Sequence, residues 1–202
     1  MADHTNGRVT EGSGIEGNGT RPAGDEAVWV WETESPIGRL GLARTEVGLR
    51  RLCFIPSGAA GAADSSVKWL ASVVAETVSP AVTVAAAPLD DVRRELDDYF
   101  AGRLQEFTIP IDWRGSIGFY RRALEVTAAI PYGETRSYAA VAAGAGSPRA
   151  ARAVGTAMAT NPIALIVPCH RVVRGDGSRG FYGGGAGAKD LLLDMEGSVS
   201  GC

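Results

Sequence analysis

Apolar and polar residues alternate from Ala27 onward, with Val28, Val30 and, weakly, Glu32 on one phase and Trp29, Trp31 and Thr33 on the other. Period-two alternation predicts a half-buried strand. Ile37–Arg44 and Gly48–Phe54 repeat the β-rich pattern across turns at Ser35–Pro36 and Glu46–Gly48, so Ala27–Phe54 reads as three strands. Ser57–Ser65, full of Gly and Ala, reads as a loop, and Val67–Val78 carries helical spacing. A firmer helix is predicted over Pro88–Phe100, where Leu89, Val92, Leu96 and Phe100 recur at three and four. Pro88 stands near its start and Asp90 and Asp91 in its first turn, where the helix dipole favours negative charge. Phe107–Ile111 reads as a short strand and Asp112–Ser116 as a linker.

The second half is helical in a different style. Phe119–Ala129 is a helix that ends at Ile130-Pro131-Tyr132-Gly133, and Ser137–Ala143 is a short one that ends at Gly144. Ser147 is a suitable N-cap and Pro148 a suitable first residue for the next helix, which runs to about Thr160. Two short helices across a tight turn are a helix-turn-helix candidate, although spacing alone favours an ordinary αα-corner in a core. The second helix, with Arg149, Arg152 and otherwise mostly small residues, offers almost nothing to read base edges. Meeting DNA, it would approach closely and bind with little sequence preference.

Composition narrows this picture. The chain has 202 residues, 45% of them hydrophobic, long enough for one large or two small domains. Met1–Glu26 is polar and lacks the basic and apolar regions of a signal peptide, so it is expected to be a disordered tail. No apolar run approaches the length of a bilayer span, which points to the cytoplasm or nucleoid. Cys53, Cys169 and Cys202 are widely scattered and only His4 and His170 could join them, which argues against a zinc site and against a disulfide framework. Net charge is −3 but unevenly spread. Residues 1–113 carry 10 basic and 17 acidic side chains (net −7), and residues 114–202 carry 10 and 6 (net +4). Such asymmetry is expected when one half meets a polyanion, although chance clustering gives the same count.

The chemistry gathers at one place. The apolar run Ile163–Val167, read as a buried strand or extended segment, leads into Pro168-Cys169-His170-Arg171-Val172-Val173. A thiolate needs a base or a positive charge nearby, and His170 and Arg171 are adjacent. Neighbours on a regular strand point to opposite faces, so Cys169 and His170 cooperate only if the chain turns, which Pro168, Gly175 and Gly177 make feasible. A third group would orient the imidazole. Asp190, Asp194 and Glu196, on a terminal helix Lys189–Glu196, remain equally open on this reading. The glycine-rich stretch Gly180–Gly185 can lie flat against a planar ligand, but it lacks the spacing of a nucleotide-cofactor loop.

Taken together, these segments resemble the O6-alkylguanine-DNA alkyltransferases (methylated-DNA–protein-cysteine methyltransferases). The resemblance covers Phe119–Glu196 and rests on Ile130-Pro-Tyr-Gly-Glu-Thr, Ser137-Tyr138, Ala150-Ala-Arg-Ala-Val154, Asn161-Pro162, Pro168-Cys-His-Arg-Val172 and Tyr182-Gly-Gly-Gly185, with their gaps. It implies an α+β fold: a small N-terminal RNase H-like β-sheet domain over 27–112 and a mainly helical C-terminal domain with a helix-turn-helix over 113–198. It implies irreversible, single-turnover transfer of the alkyl group from O6-alkylguanine, and from O4-alkylthymine, to Cys169, with no cofactor and no metal. His170 would take the thiol proton through a water, Glu196 would polarise His170, and Asn161 would brace the turn. Tyr138 would donate to N3 of a flipped base, Met158 would pack on it, and Tyr182 would wall the pocket. Backbone groups of Cys169, Val172 and Gly183 would read its edges. Arg152, with Ser137 also on the DNA side, would fill the gap in a double strand bound through the minor groove by a monomer. Three features depart from the family: Ala123-Leu124 stands for its usual Val-Trp, Phe181 for a smaller residue at the pocket lip, and the N-terminal zinc cysteines of some relatives are missing. A non-enzymatic lesion binder, a cysteine hydrolase and a plain helix-turn-helix regulator are the competing readings. The first is disfavoured by Cys169 itself, the second by the lack of any sign of an acyl site, and the third by the alanine-rich helix.

Overall fold

The structure is a computed structural model that describes residues 26–56, 58, 65–180 and 182–197, with the backbone only at Ser65 and Ala186. The tail expected over residues 1–26 lies, except for Glu26, outside the described residues, as do most of the Ser57–Ser65 loop, Phe181 and Cys202.

Strands β1 (Val28–Thr33), β2 (Leu40–Arg44) and β3 (Leu49–Phe54) form an antiparallel meander, and β4 (Val82–Val84) joins β1 in parallel, in the order β3-β2-β1-β4. The alternation decides the two faces. Val28 and Val30, with Ala43, pack on Leu70 and Val74 of α1 (Ser65–Thr77). Trp31, Leu40 and Leu42 face the other way, into the core shared with α2 (Asp90–Phe100) and the second half of the chain. A register shift at Ala43–Arg44 bulges β3, which puts both Leu49 and Leu52 on that second face although they are three residues apart. A single turn of 3-10 helix, Ala87–Leu89, holds Pro88 and leads into α2.

The outer edge of β3 is covered, as an edge strand must be to avoid pairing with other chains. Leu49 exchanges bonds with the linker (Leu49 N to Pro110 O, 2.8 Å; Asp112 N to Leu49 O, 2.9 Å). Leu52 does the same with a segment of the second half (Leu52 N to Pro162 O, 2.8 Å; Ala164 N to Leu52 O, 3.0 Å). The strand expected at Phe107–Ile111 is therefore reduced to one bridge, Leu49 to Ile111. Pro110 has no N–H to extend the ladder, and Leu52 is already taken.

The helical half contains α3 (Gly118–Ala128), α4 (Tyr138–Gly144), α5 (Ala151–Ala159) and α6 (Ala186–Met195), with a two-residue parallel pair β5 (Arg136–Ser137) and β6 (Val172–Val173). Ser137 caps α4 through Ala140 N (3.1 Å). The helix closes with Gly146 N to Ala143 O (3.0 Å) and Ser147 N to Ala142 O (2.9 Å), a pattern that needs the left-handed φ of +76° at Gly146. Helix α5 starts at Ala151 rather than Pro148, because Ala150 N bonds Ser147 O (2.9 Å) and makes a separate turn. Helices α4 and α5 thus form the expected helix-turn-helix arrangement, and both halves share one apolar core from Leu40 to Leu192. Among the described residues no helix is long and apolar enough to cross a membrane.

Candidate active site

Ile163–Val167 is buried throughout, but it is a tight turn and not a strand. Val167 N returns to Ile163 O (2.9 Å), and Leu165 takes a left-handed φ of 70°. For a residue with a side chain that conformation costs about 1–2 kcal/mol, so the surroundings must hold it. Asn161 does so from both ends: Oδ1 accepts from Ile163 N (3.0 Å), and Nδ2 donates to Val167 O (2.8 Å). Since β3 grips the same segment at Leu52, the loop is fixed against the sheet.

After Pro168 the chain makes one 3-10 turn, Cys169–Arg171. This removes the difficulty of two neighbouring side chains, because the turn spreads them around an axis instead of across a sheet. Cys169 forms the floor of a cleft of about 400 Å³, lined by Tyr138, Arg152, Met158, Tyr182 and Gly183 from the expected set, and by Ala151, Gly155, Ala159 and Arg174 beyond it. His170 is fully buried, with Nε2 2.9 Å from Glu196 Oε1. Among the described residues its Nδ1 has no hydrogen-bond partner. The three open carboxylates are thereby separated: Asp190 and Asp194 pair with Arg179 at the surface (2.9 and 2.6 Å), and only Glu196 reaches the imidazole.

Arg171 does not serve the sulfur. Its Nε and Nη2 donate to the two oxygens of Glu196 (2.9 Å each) and its Nη1 to Ile130 O (2.6 Å). A fourth donor comes from the other half of the chain, where the Tyr99 hydroxyl of α2 lies 2.5 Å from Glu196 Oε1. Burial opposes ionisation of Glu196, but the bonds from His170, Arg171 and Tyr99 outweigh it and hold its carboxyl at about 2. Burial pushes His170 below the usual imidazole range, against the pull of Glu196. Burial likewise pushes the Cys169 thiol up, opposed by the Asn161 amide and by Lys189. The unliganded protein at neutral pH therefore holds a thiol and a neutral imidazole. With Glu196 ionised, the imidazole proton sits on Nε2 and the lone pair on Nδ1.

Lys189 is buried among α6 apolar residues and donates to Val172 O (2.7 Å); burial lowers it to about 8, against the pull of Cys169. Val172 itself is buried outside the cleft lining, and Ser137 serves as the α4 cap. Tyr182 stands edge-on to Phe54 (5.5 Å) and to His170 (6.2 Å). Gly184 lies flat on Phe54: a Cβ there would come within 2.6 Å of the ring. The residues that sequence reasoning missed are Tyr99, Lys189 and Arg174. Lys189 left a signal, since it falls in helical phase with Leu192, Leu193 and Glu196, where a solvated lysine does not belong. Tyr99 left none beyond its place beside Phe100.

Comparisons with known proteins identify the family of the chain. Residues 32–113 match the family model described as the ribonuclease-like domain of 6-O-methylguanine DNA methyltransferase, and residues 118–198 match its DNA-binding domain. The methylated-DNA–protein-cysteine methyltransferase of Mycolicibacterium paratuberculosis is 53% identical over 102 residues, 50% of this chain and 61% of the relative, so the match spans about three fifths of that protein's length. The Methanosarcina barkeri protein of the same name is 37% identical over 163 residues, 81% of this chain and 93% of its own. A crystal structure of Mycobacterium tuberculosis OGT in complex with DNA superposes with a TM-score of 0.68 at 36% identity, covering 85% of this chain and 93% of the other. With its sheet domain, its helical domain and this site, the chain belongs to the methylated-DNA–protein-cysteine methyltransferase family.

Proposed function

We propose that the protein repairs DNA by moving the alkyl group of O6-alkylguanine, and of O4-alkylthymine, onto Cys169 in a single irreversible event. The observation that carries the reading is the sulfur at the floor of an open cleft, with His170, the next residue of the same 3-10 turn, bonded to Glu196. In the reaction Sγ attacks the alkyl carbon in line as the carbon–O6 bond breaks, and the bonding electrons leave on the purine. The thiol proton passes to His170 Nδ1, through a water, and the Tyr138 hydroxyl gives one to N3, so guanine departs neutral; the imidazolium and phenolate left behind are neutralised by proton exchange with solvent. Because burial disfavours a free thiolate, ionisation is coupled to this transfer and not completed beforehand. The product is a thioether, which has no facile leaving group, so each molecule acts once.

The cleft walls fit a flipped purine: Met158 and Tyr182 pack on its faces, and backbone groups at Cys169 and Gly183 read its edges, whereas Val172 lies behind the lining with its carbonyl held by Lys189. Helix α5 exposes small side chains together with Arg152, which suits close approach to the minor groove with Arg152 filling the vacated stack. Ser137, capping α4, lies on the DNA side. The protein works as a monomer on the double-stranded chromosome, in the cytoplasm.

The test is mass spectrometry after mixing the protein with an O6-methylguanine duplex. One methyl group on the peptide that contains Cys169, in amount equal to the lesion lost, is the expected result. Loss of the lesion with Cys169 unmodified, or turnover beyond one equivalent, would overturn the proposal.

A further inference from the structure

The hydrogen bond from Tyr99 to Glu196 crosses the molecule. The two residues stand 97 apart in sequence, one on α2 beside the sheet and one at the end of α6, and both are buried. Tyr99 is ringed by Phe100, Phe107 and Tyr132 at centroid distances of 5.3, 5.1 and 6.2 Å, which orients its hydroxyl toward the carboxylate. Its oxygen and the imidazole Nε2 meet the same atom, Glu196 Oε1. A buried phenol whose only role was packing would have no need of a hydroxyl, and an apolar Phe would avoid its desolvation.

We infer that Tyr99 is a positioning residue of the alkyl-transfer site: its hydroxyl fixes the Glu196 carboxylate and shares its charge, and so sets the basicity of His170 from the N-terminal domain. This rests on the transfer reaction proposed above. The Tyr99 O–H and the His170 Nε2–H compete for the electron density of one oxygen. Without the phenol, Oε1 is a stronger acceptor, the imidazolium is better stabilised, and His170 holds a proton to higher pH. The carboxylate also gains freedom to turn, which lowers the fraction of molecules aligned for proton transfer.

The groups that face this pair are few. Glu196 is met by His170 and Arg171 from the 3-10 turn, by Tyr99 from α2, by Gly133 N (3.5 Å), and at longer range by Tyr132 and Tyr182. His170 also feels Lys189 of α6. Lys189 titrates near 8, above the limb that reports on His170.

The experiment is the pH dependence of single-turnover transfer from an O6-methylguanine duplex. In Tyr99→Phe the rate at pH 7 is expected to fall about tenfold, the size of one lost bond to a charged group. Its acid limb should move to higher pH. Site-specific 3-fluorotyrosine at position 99, a stronger donor of nearly the same shape, should move the limb to lower pH, and it serves equally if the Phe variant does not fold. Limbs that stay at the wild-type pH in the variants that fold would overturn the inference and leave Tyr99 a packing residue. Failure of the wild-type protein to transfer at all would instead sink the function proposed above.

Discussion

Replacement of Asn161 by Ala tests the loop that carries Cys169. Two bonds are lost, and they differ in weight. Ile163 N is buried and donates to Asn161 Oδ1, so the variant leaves it without a partner, at about 1–3 kcal/mol. Val167 O keeps its bond from Cys169 N (2.8 Å) and loses only the one from Nδ2, worth about 0.5–1.5 kcal/mol. The expected loss is thus about 1.5–4.5 kcal/mol, a large part of the 5–15 kcal/mol typical of a domain. Urea unfolding should show a lower midpoint with an unchanged slope. The thiol should respond too, because the Asn161 amide opposes the burial that pushes Cys169 up. In a Cys53→Ser, Cys202→Ser background, alkylation of Cys169 by iodoacetamide against pH should therefore move to higher pH. Asn161→Asp, which keeps the acceptor for Ile163 N but turns a second acceptor onto Val167 O and places negative charge by the sulfur, should raise the thiol further without recovering the stability. Stability within about 0.5 kcal/mol of wild type in the Ala variant, or an unmoved thiol, would show that the loop does not depend on this residue.

The site should also make the protein acid-sensitive. Glu196 is held at about 2, below its unfolded value, so its contribution is present above about pH 4.5 and lost as pH falls toward 2; His170, buried neutral, subtracts stability as pH falls through about 6.5. Urea midpoints at pH 7, 5.5, 4 and 3 should decline at each step, and a midpoint that rose between pH 7 and 4 would contradict the assignment. Arg152→Ala should weaken binding to a lesion duplex by about 5- to 150-fold, or 1–3 kcal/mol, and hardly affect a single-stranded lesion, where no stack needs filling. Equal losses on the two substrates, measured by fluorescence anisotropy, would make Arg152 a phosphate contact and not a wedge.

The period-two pattern of Val28–Thr33 and the β-rich repeats at Ile37–Arg44 and Gly48–Phe54 placed three strands. In β3 the bulge opposite Ala43–Arg44 decided the face of Leu49, but in β1 the alternation itself separated the two faces, because side-chain direction in a regular strand follows local geometry. Helix α2 and the pair α4–α5 were legible for the same reason, as was the concentration of chemistry at Pro168–Val173. Local signals misled where a tertiary partner intervened. Ile163–Val167 has the composition of a strand, but Asn161 and Leu52 bend it into a turn with Leu165 in the left-handed region. Arg171 stands next to the thiol in sequence, and the 3-10 turn carries it away to Glu196.

The pattern of the chain supplies an inventory: one cysteine beside one histidine, a set of late carboxylates, a glycine-rich lip and an alanine-rich helix that carries arginine. Pattern and spacing left Asp190, Asp194 and Glu196 open, and only the family resemblance singled out Glu196. Its contact with His170, the burial of Lys189 and the reach of Tyr99 across the molecule come from how α2, α6 and the 3-10 turn pack against one another. A hydrogen bond demands alignment within a few tenths of an ångström, and between residues 97 apart that alignment is set by the shared core and by no pattern in the chain around either of them.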